Sequence, residues 1–145
     1  MFTDTINKCA ATAERIVKLD RQNPFGFWVA SAMAGAYVGL GIILIFTLGN
    51  LVDPALRPLV MGATFGIALT LVINAGAELY TGHTMFLTFG VKAGRINSAS
   101  AMRAGLQSWG GNLLGSILVA WLFWQTGGGK LLPDGASLVH SAALA

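Results

Sequence analysis

The sequence predicts an all-α membrane protein with three transmembrane segments, the second of them broken. Three observations carry this reading. Hydrophobic residues make up 54% of the chain and charged residues only 10%, too few charges to build a water-soluble surface. No charged residue lies between Arg21 and Asp53, between Arg57 and Glu78, or between Arg103 and Lys130. Each window matches or exceeds the roughly 20 helical residues that cross a bilayer core, and a buried helix of a soluble protein accounts for one such window but hardly for three. Finally, the apolar run 59–91 is interrupted by Gly76-Ala77-Glu78-Leu79-Tyr80-Thr81-Gly82-His83-Thr84. That segment sets an acid and an imidazole at a depth where either is costly.

The chain divides into three parts. Residues 1–22 form an amphipathic helix: Ile6, Cys9, Ala10, Ala13, Ile16 and Val17 recur at three- and four-residue steps, with Asn7, Lys8, Glu14, Arg15 and Lys18 mostly on the other side. This pattern predicts a helix lying at the membrane interface, not a cleavable signal. Cys9 is the only cysteine, so no internal disulfide forms, and its place on the stripe points to packing. Residues 23–126 form the membrane half-domain. Its first span covers 25–51, with Pro24 in the first turn and Asn23 as N-cap. After a turn at Asp53-Pro54, a first half-helix covers 59–77, a second begins near Gly82 and ends near Val91, and a third span covers 104–124. Residues 127–145 form an external loop, opened by Gly127-Gly128-Gly129, and the start of a further helix.

Basic residues bracket the spans. Lys8, Arg15, Lys18, Arg21, Lys92, Arg95 and Arg103 fall on one side, Arg57 and Lys130 on the other. Seven against two places the N-terminus in the cytoplasm. The same scatter gives no nucleic-acid face, although the net charge is +3.

Each span carries glycines four apart: Gly35 and Gly39, Gly62 and Gly66, Gly111 and Gly115, with Ser31 extending the first row. Helices in lipid gain nothing hydrophobic by meeting, so close backbone contact has to hold them. The three pairs predict a tight bundle.

An unwound point exposes carbonyls at the end of one half-helix and N–H groups at the start of the next. Gly76 and Gly82 permit the backbone angles a break needs, and Thr81 is a candidate N-cap. If the second half-helix points its N-terminus at a cavity, that cavity attracts small anions through partial charges, weakly enough for release. Glu78 either lines the path or supports the loop by accepting its N–H bonds; the second is favoured, since a carboxylate repels an anion. His83 is either a pore group or a packed, hydrogen-bonded side chain. Phe65, Leu69, Ile73 and Gly76 share a face by spacing, and with Leu79 and Tyr80 they line either a lumen with apolar narrowings or ordinary bundle core.

The segments Met1-Phe2-Thr3-Asp4-Thr5-Ile6, Ala34-Gly35-Ala36-Tyr37-Val38-Gly39-Leu40-Gly41, Met61-Gly62-Ala63-Thr64-Phe65-Gly66 and Ala77-Glu78-Leu79-Tyr80-Thr81-Gly82-His83-Thr84 resemble the formate/nitrite transporter family, most closely its nitrite channel branch. The resemblance covers the whole chain. It implies a homopentamer in the bacterial inner membrane with a pore in each protomer, and an aquaporin-like fold of six spans built as two inverted halves, of which this chain matches the N-terminal one. It implies a gating loop at residues 79–82, Thr81 as a pore threonine, and Phe65, Leu69, Leu79 and Tyr80 as constriction residues. The family usually has Phe where Tyr80 stands, and an aliphatic residue is expected at Asn74. The family's pore histidine belongs to the fifth span, a role that neither His83 nor His140 matches.

These features point to a channel for nitrite or a similar small weak-acid anion. The alternatives are a truncated, non-conducting fragment or assembly subunit, and a water or polyol channel. A head-to-foot pair of two copies would need both orientations, which the charge bias opposes. No paired catalytic acids, metal-spaced histidines or nucleophile beside a base occur, so the sequence predicts no enzyme, metal or cofactor.

Overall fold

The computed structural model describes residues 2–128, and its regular elements there are all helices. The helices are α1 (Phe2–Gln22), α2 (Pro24–Leu51), α3 (Arg57–Asn74), α4 (Tyr80–Lys92) and α5 (Ser98–Gln125). The expectations at Gly129, Lys130, His140 and the further C-terminal helix lie outside the described residues.

α2 starts as the sequence implies. Asn23 has a non-helical backbone, forced by the proline that follows it, and its Oδ1 accepts the Gly26 N–H at 2.9 Å. Asn97 caps α5 the same way, accepting the Ser100 N–H at 2.7 Å. α2 and α3 are each long and apolar enough to cross a membrane. α5 spans 28 residues, about 42 Å at the helical rise. It is less apolar because one face carries Ser100, Ser108, Asn112 and Ser116. α4, with 13 residues, reaches only about 20 Å.

α2 and α5 meet backbone to backbone. A methyl group at Gly35 would overlap the Asn112 carbonyl, and one at Gly115 would overlap the Ala32 carbonyl. Gly111 fits against Ser31, 2.5 Å from where its own Cβ would stand. Ser116 Oγ donates across the seam to the Gly35 carbonyl at 3.0 Å. This contact is the bundle that the glycine spacing predicted, although Gly39 is looser, with Val119 at an ordinary 3.4 Å.

The Gly62 and Gly66 expectation is corrected. A methyl group added at either would meet nothing within 4 Å among the described residues outside its own helix backbone. α3 packs on α2 through Ala68, which sits against Gly41, and Gly66 lies two residues away, about 200° around the helix.

Most of the apolar stripe of α1 packs on protein, with Ile6 left exposed. Ala10, Ala13, Ile16 and Val17 are buried, and Ala13, Ile16 and Val17 join a core with Phe27, Leu87 and Ala104. The amphipathic period marks a protein-docking face. Ion pairs tie its C-terminal half to the segment around α5: Arg95 to Glu14 at 3.5 Å and Arg103 to Asp20 at 3.2 Å.

The seam predicts an asymmetry between two glycines of equal spacing. Gly115→Ala should cost about 1–3 kcal/mol through overpacking, whereas Gly39→Ala should be nearly neutral. Thermal unfolding of the detergent-solubilised protein measures both, and equal melting temperatures would contradict the backbone contact.

Candidate functional site in the helix break

The break lies earlier than the sequence implied, between Asn74 and Tyr80 rather than between residues 77 and 82. Its first half is a Schellman turn: the Ala77 N–H donates to the Val72 carbonyl at 3.0 Å and the Gly76 N–H to the Ile73 carbonyl at 3.2 Å. Gly76 has φ +63°, the left-handed conformation this turn requires. Gly82 does not serve the break, because it lies inside the first turn of α4.

The second half hangs on neighbouring helices. The Glu78 N–H donates to the Ala30 carbonyl on α2 at 3.2 Å. The Glu78 carbonyl accepts from Ser108 Oγ at 3.2 Å and from Asn112 Nδ2 at 3.1 Å, both on α5. Asn112 Nδ2 also donates to the Ser31 carbonyl at 2.9 Å, while its Oδ1 accepts the Tyr80 N–H at 3.0 Å. One side-chain amide thus ties the carbonyl before the break's end to the first amide of α4 and to α2.

Two sequence expectations change here. Thr81 is not the N-cap: Leu79 holds that position with no side-chain bond, and Asn112 caps α4 from across the bundle. The Glu78 carboxylate accepts no loop N–H. Its backbone is what the neighbours hold, and its side chain pairs with His83 Nε2 at 2.6 Å and with Arg15 Nη2 at 3.5 Å. His83 is buried, stacked on Phe27 with ring centres 5.7 Å apart at 16°.

The Thr81 and Gly82 N–H groups remain without a partner among the described residues. Both residues line a cleft of about 360 Å³ under α1, with Leu69, Leu79, Arg15 and His83. The expected constriction set is therefore split. Leu69, Leu79, Thr81 and Gly82 come together. Tyr80 instead faces a separate groove of about 410 Å³ between α4 and α5, near Gly105. Phe65 lines neither cleft. The structure gives no account of Asn74, which is exposed.

Arg15, Ser108 and Asn112 escaped the sequence reading. Ser108, Asn112 and Ser116 stand four apart in an otherwise apolar span, and that polar stripe was the available signal. In the sequence Arg15 is legible only as a charge that orients the chain and as part of the polar side of α1.

The formate/nitrite transporter family model matches residues 3–144. The chain belongs to this family. Over all 145 residues it is 71% identical to the nitrite transporter NirC of Escherichia coli (strain K12), covering 54% of that protein. It is 36% identical over 124 residues to a probable formate transporter of Methanothermobacter thermautotrophicus, matching 81% of this chain and 44% of that one. A solved FNT family ion channel superposes with a TM-score of 0.87 at 70% identity, over 98% of this chain and 57% of the other. This formate/nitrite transporter family member is thus a membrane protein, and the chain spans about half the length of the curated relatives it matches.

The network makes two predictions. Asn112→Leu keeps the volume but strips three hydrogen bonds, and should destabilise by about 2–4 kcal/mol; an unchanged melting temperature would contradict its role. Thr81→Val should change stability by less than about 0.5 kcal/mol, where loss of a true cap costs about 1. A thermal shift as large as that of a cap deletion would restore Thr81 to the capping position.

Proposed function

We propose that the chain is the N-terminal half of a channel for small monovalent weak-acid anions, with nitrite as the first substrate. The observation that carries the proposal is the pair of unpartnered amides at the start of α4, opening into a cleft walled by Leu69 and Leu79. Helix N-terminal amides attract an anion through partial charge, and a site without a dedicated lysine releases it. Apolar walls beside such a site disfavour hydrated ions and water chains. The 71% identity to a nitrite transporter supports the choice of anion.

On this reading α2, the α3–α4 pair and α5 are three crossings of an inner membrane, half of an aquaporin-like inverted repeat. The N-terminus is cytoplasmic by the charge bias, and the assembled protein is a homopentamer with a pore in each protomer. Leu69, Leu79, Thr81 and Gly82 line the path, while Glu78 and His83 support the loop. Phe65 and Tyr80 border it only where further protein closes the wall.

The test is nitrite uptake by liposomes carrying the protein expressed from its own gene, with glycerol-driven swelling beside it. Nitrite uptake well above that of empty liposomes, with swelling no faster, is the expected result. Leu79→Ala combined with Thr81→Ala should reduce discrimination between nitrite and glycerol about tenfold, the worth of roughly 1.4 kcal/mol. Unchanged selectivity would remove both residues from the path, and glycerol flux alone would make the protein a neutral-solute channel.

A further inference from the structure

We infer that Arg15 sets the charge selectivity of the break by cancelling the Glu78 carboxylate, a specificity-determining role that rests on the anion-channel reading above. Glu78 and the uncapped amides of α4 share one cleft. The amides attract anions, and a bare carboxylate in the same wall would repel them. Something has to neutralise it.

Two side chains touch the carboxylate, and they are not equivalent. His83 is 4% exposed, and its Nδ1 has no hydrogen-bond partner among the described residues. An imidazole carrying its proton on Nε2 donates to Glu78 and leaves only a lone pair at Nδ1. A second proton would bury an N–H with no acceptor, the costlier arrangement. The tautomer follows from this hydrogen-bond pattern, and in it the His83–Glu78 pair still carries a full negative charge.

Arg15 supplies the balancing cation, since a guanidinium is always protonated. It reaches Glu78 from α1 with Nη2 at 3.5 Å from Oε1. Its backbone is not free to wander: Ala13 and Ile16 are buried beneath it, and Glu14 pairs with Arg95. With Arg15 in place the three side chains sum to zero, and the partial charges on the Thr81 and Gly82 amides become the net field of the cleft. The Arg15 side chain is 65% exposed, so salt weakens its effect.

Reversal potential and initial nitrite influx, measured on the reconstituted protein expressed from its own gene, test the role. Arg15→Gln should lower nitrite influx on the order of tenfold at low ionic strength and move the reversal potential toward the cation. The deficit should narrow at high salt. Arg15→Lys should recover most of the lost influx, and so should Arg15→Gln combined with Glu78→Gln. A merely structural Arg15 would not be rescued by deleting its partner. Should Arg15→Gln not assemble, Arg15→Cys in a Cys9→Ala background, treated with cationic or neutral methanethiosulfonate reagents, reads the same charge. Recovery only with the cationic reagent supports the role, and equal recovery with both overturns it. A conducting Arg15→Gln protein with the unsubstituted reversal potential and salt dependence overturns the charge-cancelling role alone, as does a double variant no better than the single one. Absence of nitrite flux in the unsubstituted protein removes the channel reading and this role with it.

Discussion

A helix that unwinds inside hydrocarbon must find partners for every backbone group it no longer pairs, because lipid offers none. The packing around this break meets much of that requirement. α3 closes itself with a Schellman turn on Gly76. The loop cannot close its remaining groups alone, so α2 lends the Ala30 carbonyl, and α5 lends Ser108 and Asn112. Those loans require α2 and α5 to stand close on either side of the break. Gly35, Gly111 and Gly115 make that approach possible.

What remains unsatisfied is as informative as what is paired. Among the described residues the amides of Thr81 and Gly82 are left open, and they sit where α1, α3 and α4 form a cleft. α1 covers this cleft through an apolar stripe and reaches into it with Arg15. A segment that began as an amphipathic pattern thus becomes a wall of the site.

Two apolar helices and the existence of a break, though not its bounds, were legible in the sequence because both are local. A charge-free window is a property of consecutive residues, and Gly76 marks a turn that closes within its own helix. The details that failed depend on partners distant in sequence. Nothing near Thr81 announces that its capping duty passes to Asn112, on a helix that begins at Ser98. Spacing alone also made Gly62 and Gly66 equivalent to Gly111 and Gly115, because a four-residue interval says which side of a helix is smooth but not which neighbour meets it. Tyr80 and Leu79 are adjacent in sequence, yet the helix starting between them turns their side chains to different grooves. The amphipathic period of α1 was read correctly as a stripe. The protein that buries most of it was not legible, since lipid and protein offer the same kind of surface to Ala13 and Ile16.

The seam between α2 and α5 has one more consequence. Its fit is made largely by main-chain atoms at Gly35 and Gly115, which substitutions on the outward face of α5 leave in place. The outward residues of α5, among them Leu114, Ile117, Leu118 and Trp121, are exposed and take no part in it. That outward face can therefore change to suit whatever surface covers it while the frame around the break keeps its dimensions.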